Sequence, residues 1–324
     1  MPIELSVIIV NWNSVEHLKR CVPTLFSGSP GENIEVIVVD NASYDGSERF
    51  LKDNYPGVHH VQGPSNLGFA RGNNLGFSHS HGKYLLFLNP DTEIIGPALS
   101  RMLGALKNSE NAAIIGARLL NSDGSLQTSC VQAFPTVLNQ FLDSDYLRRI
   151  FPSWRLWGTD ALMSRGNGPT RVQMVSGACL MINRRAFESL GLFATDYFMY
   201  AEDLDLCYKC ARAGWDVLYQ GEAEVFHHGG GSAGATGNPG FSAVLTRESL
   251  LTFMKKYYGQ PFPLLFRAST FINASLRLLA LAAVTPAHMR PSQFFIKWHA
   301  VLRWSLGLEK WAEELNLSTK KGAV

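Results

Sequence analysis

Four short runs rich in β-branched residues alternate with stretches of helical pattern in the first third of the chain, and this alternation constrains the fold more than any other feature. The runs cover residues 5–10, 34–40, 60–62 and 84–88, and the spacing predicts helices over 15–26, 46–54, 68–79 and 98–107. A βαβα order implies a mainly parallel sheet with helices on both faces. Ligands of such sheets bind beyond the carboxyl ends of the strands. Two of those ends carry an aspartate, Asp40 in VIVVDNAS and Asp91 just past the strand in LLFLNPD. Gly68, Gly72 and Gly76 recur every four residues on one helix, a pattern for close packing against the sheet. No GxGxxG follows the first strand, which weighs against a nicotinamide dehydrogenase.

Beyond residue 112 the pattern becomes mixed, with strands predicted at 114–117, 172–175 and 179–182 and a helix at 184–190. This describes one α/β domain with a partly antiparallel second half and its site at the join. The run MYAEDLDLCYKCARAG, residues 199–214, reads as a short helix with Leu204, Cys207, Tyr208 and Ala211 on one face and Gly214 as its stop. Its first turn holds Glu202, Asp203 and Asp205, where backbone N–H groups and the helix dipole favour negative charge. Tyr197, Phe198 and Tyr200 precede it and supply a partly dry wall, which raises a carboxyl pKa and suits a general base. The alternative is that Asp203 or Asp205 is only an N-cap. Five cysteines, an odd number in a chain this long, fit a reducing cytosol. Cys207 and Cys210 read as two residues on one helix face rather than half of a zinc site.

At 324 residues and 46% hydrophobic content the chain is long and apolar enough for a large core. Its start reads as a strand rather than a secretory leader. The net charge of +2 hides an asymmetry: from Phe241 onward eleven Lys and Arg face four Glu, a formal +7, leaving −5 on residues 1–240. Cations interleaved with apolar and aromatic residues point to an anionic membrane surface and away from nucleic acid. Residues 229–240, GGGSAGATGNPG, read as a mobile loop, either a lid or a linker. Residues 263–284 are apolar but broken by Arg267, Asn273 and Arg277, which favours a helix lying in the interface over one that crosses it. Phe294, Phe295, Trp298, Arg303, Trp304 and Trp311 continue that character. A helical cap on the catalytic domain is the other reading. The expected division is therefore 1–240 and 241–324.

Seven motifs in order carry a resemblance: SVIIVNWNS at 6–14, VVDNASYDGS at 38–47, NLGFARGNN at 66–74, FLNPDTEI at 87–94, VSGACLMINR at 175–184, FMYAEDLDLCYK at 198–209 and VFHHGGGS at 225–232. Together they resemble the inverting family 2 glycosyltransferases of the GT-A fold, and within them the rhamnosyltransferase-like branch. The resemblance implies a Rossmann-like, mainly parallel sheet flanked by helices, with a C-terminal helical membrane-associating extension. It implies that Asp40, with Asn11, contacts the base and ribose of a nucleotide sugar, and that Asn66, Arg71 and Asn89 belong to the same donor-binding set. Asp91 takes the place of the last acid of the family's metal-binding DxD, whose first acid is here Asn89. A divalent cation, Mg²⁺ or Mn²⁺, is then held by Asp91 and His227, with His228 as the alternative histidine. Asp203 matches the catalytic base, and Glu202 orients the acceptor.

The activity so implied is transfer of a sugar, L-rhamnose from dTDP-rhamnose, to a lipid-linked or polysaccharide acceptor in cell-envelope glycan synthesis. It places the enzyme in the cytoplasm, peripheral at the inner face of the cytoplasmic membrane. UDP-galactofuranose or a UDP-hexose as donor, and a non-catalytic nucleotide-sugar-binding subunit, are the alternatives.

Overall fold

The computed structural model describes residues 2–27, 33–151, 153–163, 168–229, 240–284 and 293–311. The glycine-rich stretch, apart from Gly229 and Gly240, lies outside the described residues, as do Arg290, Lys320 and Lys321 of the basic tail. Two compact units form. The first comprises Met1–Phe134, Asp145–Thr195 and Glu202–Ser232, and the second Pro135–Ser144, Asp196–Ala201 and Ala233–Val324.

In the first unit the chain runs β1 (Leu5–Asn11), α1 (Val15–Ser27), β2 (Ile34–Asp40), α2 (Ser47–Asn54), β3 (His59–Gln62), α3 (Gly68–Ser78), β4 (Tyr84–Leu88), β5 (Thr92–Ile94), α4 (Ala98–Lys107) and β6 (Ala112–Leu120). β7 (Val131–Gln132) follows. After the second unit's short α5 (Val137–Phe141) come α6 (Asp145–Ile150), α7 (Asp160–Met163), β8 (Thr170–Val172), β9 (Met174–Val175), β10 (Cys179–Asn183), α8 (Arg184–Ser189), α9 (Glu202–Arg212) and β11 (Asp216–His227). The main sheet has the order β3-β2-β1-β4-β10-β6-β11-β5, with β8 also on β11, and β7 pairs with β9 in a small second sheet.

β3, β2, β1 and β4 are parallel. Every residue of β1 and β4 is buried, as strands covered on both faces must be. β10 inserts antiparallel between β4 and β6, and β6 then pairs parallel with β11. The antiparallel insertion brings the start of β10 to the edge where the parallel strands end. The single strand predicted at 172–175 is split in two: Gln173 separates β8 from β9, which belong to different sheets.

The glycines of α3 divide by role. A Cβ at Gly76 would come within 2.5 Å of Ile8 Cγ2, and one at Gly72 within 2.9 Å of Val10 Cγ1, so both let the helix lie against β1. Gly68 instead has φ 74°, a left-handed conformation that glycine adopts without strain.

The second unit holds α10 (Phe241–Tyr257), α11 (Phe262–Val284) and α12 (Gln293–Ser305), with α5 against α11. The polar residues that interrupt α11 are each spent inside this unit. Arg267 donates from Nη2 to the Trp304 carbonyl at 2.7 Å, Asn273 from Nδ2 to the Phe141 carbonyl at 2.5 Å, and Arg277 from Nη2 to the Asp143 carbonyl at 3.1 Å. Leu264, Leu265, Ile272, Leu276 and Leu279 of the same helix are exposed. Phe262–Ala283 is long and apolar enough to cross a membrane by length and composition.

Candidate active site

The residues singled out in the first unit gather at one edge of the sheet. Asn11 and Asp40 end adjacent strands and are partners in register. Leu88 pairs with Ile9, so Asn89 and Asp91 follow at the same edge. Two interstrand spacings of about 4.8 Å separate β2 from β4, which puts the Asp40 and Asn89 corners roughly 10 Å apart. Backbone strain concentrates here as well. Of six non-glycine residues with left-handed φ among the described residues, Asn13, Ala42 and Tyr44 flank these strand ends.

The β1 and β2 corner is tightly wired. Asp40 Oδ1 accepts from the Ser43 backbone N–H at 3.0 Å and from its hydroxyl. Asn11 is fully buried and donates Nδ2 to Ser43 Oγ and to Asp45. Asp45, which sequence reasoning missed, also accepts from the backbone N–H groups of Val15 and Ser47. Burial would raise its carboxyl, but these bonds outweigh it and hold the group below the usual range. The available signal was an Asx turn before a helix, Asp45-Gly46-Ser47. Asn66 accepts from Gly68 N–H and from Asn41 Nδ2, so it shapes the entry to α3. Arg71, half-buried on α3, reaches the Thr195 carbonyl at 3.5 Å.

Asp91, Asn89 and His227 form the second corner. His227 Nε2 lies 3.4 Å from Asp91 Oδ1 and 3.3 Å from Asn89 Nδ2, while its Nδ1 meets Gln127 Oε1 at 2.9 Å. Gln127 also donates Nε2 to the His227 carbonyl at 2.7 Å, a two-point clasp that no sequence pattern announced. His228 is engaged elsewhere, with Glu93 at 2.9 Å and Ser122 at 2.7 Å. His227 is therefore the histidine that faces Asp91. Burial alone would raise Asp91, but the bond to His227 and the charges of His227 and His17 bring it below the usual carboxylate value. No group of three His, Cys, Asp or Glu at metal-binding distance occurs among the described residues. Asp91 and His227 nonetheless offer one hard and one borderline donor turned toward each other, which fits a cation whose remaining positions a ligand fills.

Asp203 lies beside this corner. Its Oδ2 accepts from Gly177 N–H and its Oδ1 from Leu204 N–H, both at 2.8 Å. The adjoining Ala178 carbonyl accepts from Asn89 N–H at 3.0 Å, so one short segment ahead of β10 touches both the Asp203 carboxylate and the Asn89 backbone. Burial raises Asp203 above the ordinary aspartate value despite these two bonds. Glu202 is buried too, and burial, then the charges of Asp203 and Asp205, push its carboxyl well up. Cys207 and Cys210 lie together in the buried face of α9.

The sequence profile of Glycosyl transferase family 2 matches residues 6–191, and that of Glycosyl transferase family group 2 matches residues 153–304. The chain belongs to glycosyl transferase family 2. This family 2 glycosyltransferase is 30% identical over 244 residues to the N-acetylglucosaminyl-diphospho-decaprenol L-rhamnosyltransferase of Mycobacterium tuberculosis, covering 71% of this chain and 78% of that one. It is 32% identical over 213 residues to the low-salt glycan biosynthesis hexosyltransferase Agl10 of Haloferax volcanii, covering 64% and 62%. The mannosyltransferase PcManGT of Pyrobaculum calidifontis, solved in complex with GDP-Man and Mn²⁺, shares its fold with a TM-score of 0.58 at 15% identity, over 95% of this chain and 89% of that one. The GT-A expectation is borne out, the glycosyltransferase is assigned to the rhamnosyltransferase-like branch, and the dehydrogenase alternative falls.

Proposed function

We propose that this glycosyltransferase moves L-rhamnose from dTDP-rhamnose to a lipid-linked or polysaccharide acceptor with inversion at the anomeric carbon. The observation that carries the chemistry is Asp203, a carboxylate of raised pKa held at both oxygens by backbone N–H groups beside the Asn89 segment. Asp203 takes the proton of the acceptor hydroxyl as that oxygen attacks the anomeric carbon. The bond to the diphosphate breaks, and its electron pair leaves with the nucleotide. Glu202 stands beside Asp203, its carboxyl pushed well up by burial and by the charges of Asp203 and Asp205, and orients the acceptor. Asp40, Asn11, Asn66, Arg71 and Asn89 serve the donor, with the Asp40 corner for base and ribose.

Asp91 and His227 would hold Mg²⁺ or Mn²⁺, which would neutralise charge on the departing diphosphate. The Mn²⁺ and GDP-Man in the mannosyltransferase complex support this reading. Rhamnose is supported by the activity named for the mycobacterial relative. The hexosyltransferase named in Haloferax supports a hexose as the second class of sugar, and a UDP-hexose or UDP-galactofuranose is the alternative donor. Residues 1–240 are assigned to catalysis and 241–324 to a peripheral membrane contact in cell-envelope glycan synthesis at the inner face of the cytoplasmic membrane. The exposed leucines of α11, with its arginines spent inside the unit, support that contact.

A donor screen tests the assignment: dTDP-, UDP- and GDP-sugars with Mg²⁺ or Mn²⁺, scored by product formation. Transfer is expected from dTDP-rhamnose, and transfer from another sugar alone overturns it.

A further inference from the structure

Trp298, on α12, has three cations around its indole. The guanidinium carbons of Arg277 and Arg247 lie 4.4 Å and 5.4 Å from the ring centroid, and Lys297 Nζ lies 5.7 Å away. The ring quadrupole attracts each of them, but their mutual repulsion opposes the arrangement. Burial pushes Arg247 down to about 10; the charge of Asp143 counters this and that of Arg277 adds to it. Among the described residues Arg247 is anchored by a bond from Nη1 to the Ala243 carbonyl at 2.8 Å, and Arg277 by bonds to Asn273 Oδ1 and the Asp143 carbonyl.

A cleft of about 40 Å³ opens beside Arg247. At about 10–15 Å³ per water it takes a few waters or one phosphate-sized group. Its floor is Phe266 and Thr270, and half-buried Gln140, Arg247 and Asn273 form its walls. The Thr246 and Thr270 hydroxyls donate back to carbonyls of their own helices, so Arg247 is the main donor facing the cleft. Asp143 is the one carboxylate among the lining residues, and Arg277 and Lys297 share the Trp298 ring with Arg247, so three cations are set against it.

Arg277 belongs to α11, whose Ile272, Leu276 and Leu279 are exposed. An anion-receiving cleft and a bare hydrocarbon face served by one helix match an amphiphile: a phosphate or diphosphate esterified to a long apolar chain. We propose that Arg247, backed by Arg277 and Trp298, receives the phosphate of a long-chain lipid phosphate that carries the acceptor sugar. This rests on the reading that the acceptor is lipid-linked.

Flotation of the full chain with phosphatidylcholine vesicles tests it, comparing polyprenyl phosphate with phosphatidylglycerol at matched surface charge. The wild type is expected to bind the polyprenyl phosphate vesicles about tenfold more tightly, the scale of one added charge-assisted contact. Arg247→Gln should erase that preference and Arg247→Lys should keep part of it, with melting curves confirming that both variants fold. Equal wild-type binding to the two vesicles, or a preference that survives Arg247→Gln, overturns the proposal. So does inorganic phosphate without lipid, if it raises the wild-type melting temperature as much as the vesicles do and leaves Arg247→Gln unmoved; the cleft would then take free phosphate. Flotation needs neither donor nor turnover, so its failure is separate from failure of the transferase reading, which product formation judges.

Discussion

Gly177 donates its backbone N–H to Oδ2 of Asp203 at 2.8 Å, and a Cβ added at position 177 would stand 3.2 Å from Asp203 Cβ and 3.4 Å from Oδ2. The approach is tighter than ordinary van der Waals contact. Gly177→Ala must move the carboxylate by a few tenths of an ångström, and catalytic geometry is sensitive to shifts of that size. We expect kcat to fall roughly tenfold or more, with the KM for donor near wild type and the fold retained. Unchanged kcat in this variant would remove Gly177 from the machinery.

Asp203→Asn keeps the shape but cannot accept the acceptor's proton. Loss of a general base lowers kcat by about 10²–10⁴-fold, while donor binding persists. The wild-type rate should rise with pH as Asp203 ionises, with a midpoint above the ordinary 3.8 because burial outweighs the two backbone N–H bonds. That acid limb should vanish from the residual rate of the variant. A pH profile shared by wild type and variant would assign the limb to another group.

The parallel half of the fold was legible because β1, β2 and β4 are mostly apolar runs that end at or just before a polar residue, Asn11, Asp40 and Asn89. β11 escaped because Gln220, Gly221, Glu222 and Glu224 interrupt its pattern, and the structure has a register shift in that stretch. β5, three residues long, is too short to show a strand period. At the site, acids at strand ends were visible, whereas Gly177 and Gln127 act through a backbone N–H and a carboxamide from outside any periodic element. Such partners leave no spacing to read; only tertiary proximity exposes them.

Glu202 links the site to stability. Its folded-state pKa lies well above the ordinary 4.5, first through burial and then through the charges of Asp203 and Asp205. The native state therefore binds this proton more tightly than the unfolded chain does. The contribution is complete below pH 4.5 and is lost as pH rises toward the folded value. Glu202→Gln removes the titration, so its melting temperature should gain on wild type as pH increases from the ordinary value upward. Parallel pH dependences for the two proteins would show that Glu202 ionises in the fold as freely as in the unfolded chain.

His227 owes its orientation to Gln127, which meets its Nδ1 at 2.9 Å and its carbonyl at 2.7 Å. A proton on Nδ1 leaves the Nε2 lone pair on the side of Asp91 Oδ1, the arrangement a cation needs. Gln127→Ala leaves both proposed ligands, Asp91 and His227, in the chain, yet losing such a partner costs about 10–100-fold in metal affinity. The half-saturating Mn²⁺ concentration for donor binding should rise by that factor, while kcat at saturating Mn²⁺ stays near wild type. His228→Ala is the matched comparison, because His228 engages Glu93 and Ser122 instead. If the two variants shift the Mn²⁺ requirement equally, the cation is not held at the Asp91 and His227 corner.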